Sequence, residues 1–435
     1  MEIYRLLISL LGAATLALLL IRPKIGTMLY MIHMFLAPWI YIGGFQIYSR
    51  TLAFLFIFLF VFQLRNMITR ENLKPLFPYM FFLAANFLIL FTAERFNVSL
   101  TWYLFTLCDF FFMLYLYGNL VNYKSATLYK WTLFTIMCFI VAYGLFLTTI
   151  PGLNPYKLIQ MPIFGGEFNE AYAAGNSGSV ASTELAKGRM FGRISSVFDH
   201  PMTYGLNLGL FAIFSSYILR NRPLIMTIVL VAVLIAILTS GVRTPIAALA
   251  VTALFALLYL RKIRYFWYGF IGAIALLVFL PLILPGAEEY LTSIVSSDES
   301  NTSGSSLSMR LTQLKGSFDI MSENPLFGNG YGWHYWYNGT YGAHPKALYF
   351  ESIMFTIMVE TGIAGFIIWF YFISKYCKYC VRSTTDRLYS VTLLSLMVYY
   401  LSYSLITGDM GIKNLMPFFV VLLGIHPNHP QIRAK

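Results

Sequence analysis

Apolar runs long enough to cross a lipid bilayer recur along almost the whole chain, and this feature constrains the fold more than any other. A helical span needs roughly 17–25 mostly apolar residues to cross a hydrocarbon core about 30 Å thick. No water is available there to backbone N–H and C=O groups, so each run must satisfy its own, which the helix does. Runs near 4–21, 27–43, 51–64, 77–93, 99–121, 130–150, 202–219, 223–239, 244–260, 265–284, 349–374, 388–407 and 411–425 meet the requirement, the last being short. Hydrophobic residues make up 58% of the chain and charged residues 11%, too few to coat a soluble fold of this size. The expectation is an all-α, polytopic helical membrane protein with about 12–13 transmembrane helices, its single integral membrane domain filling residues 1–435. The run from Leu6 to Ile21 lacks a following small-residue cleavage site and reads as a first span rather than a signal peptide.

The formal charge of +12 does not point to nucleic acid, because the basic residues are scattered between spans rather than gathered on one polar domain. Arg22 and Lys24, Arg65 to Lys74, Lys124 and Lys130, Arg220 and Arg222, Arg261 to Arg264, and Lys375 to Arg387 occupy alternate connections, which places those on the cytoplasmic side. The remaining connections, with single basic residues such as Arg50, Arg95, Arg243 and Lys413, face outward. The same alternation puts two long polar segments, 151–201 and 285–348, on the outer side, where functional groups are to be sought. Cys108, Cys138, Cys377 and Cys380 lie in or beside spans and form no evident disulfide framework, and the Cys377/Cys380 pair lacks the partners a zinc site needs.

Candidate chemistry gathers in those outer segments. GRMFGRISSVFDHPMTYG brings Arg189, Arg193, Asp199 and His200 to the start of a span, where a guanidinium fork suits a phosphate. Arg243 in TSGVRTP stands alone between apolar spans and needs a partner there, either a phosphate oxygen or a protein group. In LSMRLTQLKGSFDIMSENPLFGNGYG, Leu307, Leu311, Leu314, Phe318 and Met321 recur at helical spacing while Arg310, Gln313 and Ser317 share another face, so an amphipathic helix lies over the membrane domain. Gly328, Gly330 and Gly332 then form a turn in which backbone can approach backbone or ligand closely. His334 and His344 lie among aromatic residues that suit sugar faces and membrane interfaces alike, and no third ligand is spaced for a metal. Glu351 opens the next apolar run and is placed to take a proton from a sugar hydroxyl, or else to pair with Arg243 or Arg310. Glu360 lies deeper and reads as structural.

In their order, GRISSVFDHPMTYG, LTSGVRTPIAAL, MRLTQLKGSFDIMSENPLFGNGYG and ESIMFTIMVETGIAG resemble the O-antigen ligase and polymerase superfamily of bacterial envelope glycan enzymes, over roughly residues 185–425. The resemblance implies a glycosyltransferase without metal or other cofactor, in the bacterial inner membrane with its active site facing the periplasm. Its donor would be an undecaprenyl-pyrophosphate-linked glycan and its acceptor a glycan or lipid A core, with membrane lipids as surroundings. Arg243 and Arg310 look like the family's pyrophosphate-holding arginines, and Arg193 like a third. Ligases of the family carry His-Asn where this chain has Glu351 and Ser352, so a carboxylate would be the base here, with His344 as the alternative and His200 a further substrate-binding candidate. That departure favours a polymerase of O-antigen or related repeat units over a ligase of lipopolysaccharide assembly. A flippase or transporter is the reading from a different class; it calls for ionisable groups near the bilayer midplane, whereas here they lie at the outer ends of spans.

Overall fold

The computed structural model describes residues 17–18, 21–36, 39–42, 45–48, 76–122, 126–150, 154, 194–198, 200–262, 307–348, 350–382, 386–408 and 412–425. The spans expected over 51–64 and 265–284, almost all of 4–21, and Arg189, Arg193 and Asp199 lie outside these residues. In chain order the elements are α1 (Pro23–Leu36), a hairpin of β1 (Trp39–Ile42) and β2 (Phe45–Tyr48), α2 (Phe77–Ile89), α3 (Phe96–Asn122), α4 (Ala126–Leu147), α5 (Pro201–Ile218), α6 (Pro223–Thr239) and α7 (Thr244–Tyr259). They continue with α8 (Leu307–Glu323), α9 (Trp333–Tyr341), α10 (Ile353–Arg382), α11 (Arg387–Thr407) and α12 (Met416–Ile425). By length and composition α3, α4, α10 and α11 are able to cross a membrane, and α2, α6, α7 and α12 are shorter apolar helices, so the chain is a multi-pass membrane protein.

Local chemistry sets most helix starts. Pro201, Pro223 and Pro245 stand in the first turns of α5, α6 and α7, where a missing N–H costs nothing. His200 caps α5, its Nδ1 accepting from Met202 N at 3.2 Å. Asp386 caps α11 by accepting from Leu388 N and Tyr389 N at 2.9 and 3.2 Å.

Helix α11 is the hub, packing against α5, α7 and α10. Lipid tails are as apolar as leucine, so close packing and interhelical hydrogen bonds must supply the attraction between helices. Gly205 and Gly209 of α5, spaced as GxxxG, leave room for the Tyr399 ring and for Pro245 of α7. The Tyr399 hydroxyl then donates to Gly205 O at 3.0 Å and Tyr403 to Met202 O at 2.7 Å. Asn207 donates to Asn414 Oδ1 at 3.1 Å and Asn119 to Thr27 Oγ1 at 2.9 Å, each pairing buried polar groups on different elements.

Three features depart from the expected succession of spans. The run over 27–43 is helical only to Leu36; beyond it WIYI and FQIY pair antiparallel, Trp39 opposite Tyr48 and Ile42 opposite Phe45. Pro38 disfavours helical backbone at the residue before it, and the aromatic and β-branched residues that follow suit a strand. The aromatic stretch after the glycine turn forms a short helix, α9, that no apolar periodicity announced. Helix α10 is broken at Gly362, whose φ of 58° and ψ of −156° belong to a region that is essentially glycine-only.

That break is filled by the glycine turn. Asn329 N and Gly330 N donate to Val359 O and Glu360 O at 2.9 and 2.8 Å, while Ile363 N and Ala364 N donate to Pro325 O and Leu326 O at 3.0 Å each. The carbonyls and amides that α10 loses at the break are therefore paired with residues 325–330. A Cβ at Gly362 would press on Pro325 O and Gly328 N, and one at Gly328 on the Glu360 to Thr361 peptide. Either obstacle is backbone and cannot swing aside. Gly362→Ala and Gly328→Ala are expected to lower unfolding stability in detergent micelles by at least about 1–3 kcal/mol. Gly339→Ala, inside α9 and meeting nothing within 4 Å, is expected to cause no loss of stability and to raise it by up to about 1 kcal/mol.

Candidate functional site

Helix α8 brings Arg310 to the start of α10. The amphipathic helix expected here is present, but its leucine row is not what holds it. Gln313, Gly316, Ser317 and Ile320 are buried, whereas Leu311 and Phe318 are exposed. Gly316 decides this, because its missing side chain lets α8 sit directly on the backbone of Lys346 and Ala347. With the small and polar face turned inward, Arg310 points to the start of α10. Its Nη1 donates to Glu351 O at 2.8 Å and its Nη2 lies 3.8 Å from Glu351 Oε2. Burial pulls the guanidinium below its ordinary pKa and Glu351 opposes that pull. An arginine keeps its charge under such a shift.

Glu351 is delivered by a strained strap. Leu348 and Phe350 both adopt left-handed backbone, with φ of 52° and 54°, a conformation rare for bulky residues that persists where its surroundings enforce it. Enforcement comes from His344, whose N–H and C=O pair with those of Leu348 at 3.0 and 2.8 Å. Its Nδ1 accepts from Lys346 N and Ala347 N at 3.1 and 3.3 Å. A Nδ1 that accepts leaves the proton of the neutral ring on Nε2. His344 is therefore a brace, and in this geometry its Nε2 is a donor rather than a base.

The strap rests on α9. Trp333 packs near His344 and Phe350 and donates its indole N–H to Glu94 Oε2 at 3.0 Å. Glu94 N in turn donates to Asn329 O at 3.1 Å, and the Arg95 guanidinium lies 4.6 Å over the Trp336 ring. Next to them, His334 Nδ1 and backbone N meet Glu360 Oε1 at 2.5 and 3.2 Å, both side chains buried. This pair, which ties α9 to α10, was not legible in sequence, since twenty-five residues separate the partners and only the break at Gly362 brings them together.

The other expected residues lie at the same end of the helix assembly. Gly408, which closes α11, lies beside Phe350 and Glu351. One turn earlier Tyr403 bonds to Met202, next to His200, and Pro245 sits against Gly205. Arg243, half-buried, is the residue from which α7 starts. The starts of α5, α7 and α10 and the end of α11 thus share one side with α8, α9 and the turn at Glu94. Arg310 and Glu351 are in direct contact, Arg243 and His200 stand at the starts of α7 and α5, and Arg193 lies outside the described residues. Among the described residues no group of three or more His, Cys, Asp or Glu side chains is arranged to hold a metal ion.

Fold and site together define a polytopic helical membrane protein with a cluster of arginines, carboxylates and aromatic residues over one end of its spans. Residues 228–370, which contain Arg243, Arg310 and Glu351, match the family model described as O-antigen ligase, and over this region the chain resembles the O-antigen ligase and polymerase superfamily. No curated protein matches the chain.

Burial first, and then Lys346, hold the His344 pKa below its ordinary value near 6.5, with Glu323 opposing. A lowered folded-state value means that the unfolded chain binds the proton more tightly. The brace contributes fully above about pH 6.5 and is lost as pH falls through the folded value, when Nδ1 becomes a donor. Unfolding midpoints in detergent should therefore drop below pH 6.5, and His344→Asn, which still offers an acceptor to the two amides, should flatten that part of the profile.

Proposed function

We propose that the protein is a membrane glycosyltransferase that moves a glycan from an undecaprenyl-pyrophosphate carrier to an acceptor on the periplasmic face of the inner membrane, polymerising repeat units of O-antigen or a related surface polysaccharide. The observation that carries this reading is the Arg310 to Glu351 contact: a charged fork and a carboxylate held together at the outer end of a broken span, within the stretch that resembles O-antigen ligase.

The chemistry follows from what such a transfer must stabilise. An acceptor hydroxyl attacks the anomeric carbon, the bond from that carbon to the pyrophosphate oxygen breaks, and the pyrophosphate leaves with the electron pair. Negative charge grows on the leaving group, so preorganised cationic donors beside it lower the barrier. Arg310 and Arg243 take this role, with Arg193 a third. Glu351 accepts the hydroxyl proton as general base, and its link to Arg310 keeps base and leaving-group clamp in one frame. His200 and His344 border the substrate, the first from the start of α5 and the second from the strap that carries Glu351. The reaction needs no metal for leaving-group stabilisation when guanidinium groups supply the positive charge.

Envelope glycans from a deletion strain complemented with variants test this. Arg310→Ala and Arg243→Ala are expected to reduce product at least 100-fold while the proteins still insert, Arg310→Lys to retain a small fraction because an ammonium lacks the fork, and Glu351→Gln to fall with Arg310→Ala. Normal chain length in both arginine variants would overturn the proposal. Single capped units in the deletion strain identify a polymerase; accumulation of long lipid-linked chains with none attached to lipid A core identifies a ligase instead.

A further inference from the structure

Helix α8 has three sides, and only two are explained by the protein and by water. At 100° per residue, Gly316, Gln313 and Ser317 share the arc packed against α10 and the strap. Thr312, Lys315, Asp319 and Ser322 are exposed on a polar arc. Between these two arcs, flanked by Leu314, lie Leu311 and Phe318, 59% and 51% exposed although apolar. A helix docked sideways on a protein, with water above, has this pattern when something apolar lies below it.

Exposed apolar residues also follow α8 to a helix long and apolar enough to span a membrane. The chain leaving α8 carries Leu326, 61% exposed, and Phe327 into the break of α10, where Leu326 O and Pro325 O accept from Ala364 N and Ile363 N. Ile363 and Ile367 then begin the lipid-facing flank of that spanning helix, Ile367 being 63% exposed. Exposed apolar residues are thus present on α8, on the segment that follows it and on the flank of the spanning helix to which that segment is bonded.

We propose that α8 is an interfacial helix seated in the outer leaflet, with Leu311, Phe318, Leu326 and Phe327 in the hydrocarbon and Thr312, Lys315 and Asp319 turned to the water above it. The partner of this surface is the bilayer itself. Arg310, on the flank of the same helix, then stands at headgroup depth, so a lipid-linked pyrophosphate reaches it by lateral diffusion beneath α8 and needs no lift out of the membrane. This last consequence rests on the transferase reading; the membrane contact does not.

The test uses the full chain in nanodiscs of phosphatidylethanolamine and phosphatidylglycerol, with a diazirine amino acid placed at position 311, 318, 312 or 319 and the photoproducts read by mass spectrometry. Lipid adducts at 311 and 318, at least fivefold above those at 312 and 319, are expected. Equal adducts at all four positions, water addition alone at 311 and 318, or adducts joining two copies of the chain would each overturn the proposal, the last by showing that a second protomer covers the arc. Because cross-linking reads no glycan, it stands or falls separately from transfer activity. Leu311→Asp and Phe318→Asp should also cut glycan product at least tenfold in the complemented strain while Leu311→Phe retains it; unchanged product in both aspartate variants would remove the lateral route.

Discussion

The arrangement of α8, α9 and the strap that carries Glu351 hangs on a helix interrupted at Gly362, where unpaired backbone is costly. A span broken inside or at the edge of a bilayer exposes carbonyls and amides that no water can satisfy, at several kcal/mol for each. Residues 325–330 fill the gap with four backbone hydrogen bonds, two on each side of Gly362. Once that segment is fixed, α8 before it and α9 after it have little freedom in where they lie. The strap carrying Glu351 is anchored at both ends by the same arrangement, since α10 begins just beyond it.

Glycines make this possible because close backbone approach and positive φ are needed at the same places. Gly328, Gly330 and Gly332 have φ of 66°, 105° and 72°, and each lies against a different neighbour: the Glu360 peptide, the turn at Ala93, and the Trp102 ring. A side chain at any of them would be strained and obstructed at once. Elsewhere in the bundle the same logic holds without the strain, where Gly205 and Gly209 admit a tyrosine whose hydroxyl then finds a carbonyl across the interface. Aromatic residues with a polar tip serve well in such cores, being large enough to fill space and able to make one interhelical hydrogen bond.

The site combines a rigid base with charges that stay reachable. Arg310 and Glu351 keep 26% and 33% of their side-chain surface exposed, whereas His334 and Glu360 are nearly closed off. The first pair is therefore the one open to the surroundings, and the second belongs to the framework that positions it. Positive φ at Leu348 and Phe350 places the Glu351 carboxylate on the side where Arg310 arrives. Local strain is sustained there by the His344 brace and by the burial of Phe350 in the small core formed with Trp333, Ile320 and Val359.

Much of the architecture was legible in the sequence, because a membrane leaves few choices. Except for the run over 27–43, the apolar runs of spanning length among the described residues are helical, and the edges of α6, α7 and α11 fall within a residue of those runs. The resemblance over roughly residues 185–425 singled out Arg243, Arg310 and Glu351 as candidates, and the glycine triplet announced a close backbone contact. What sequence periodicity did not determine was which face of α8 turns inward, that α10 breaks at Gly362, that Trp39 to Tyr48 pair as a hairpin, or that His334 meets Glu360. Each of these depends on a partner distant in the chain or on a balance between neighbouring surfaces. An amphipathic pattern specifies that two faces differ, but only the tertiary structure, with Gly316 against the Lys346 backbone, decides which of them the protein buries.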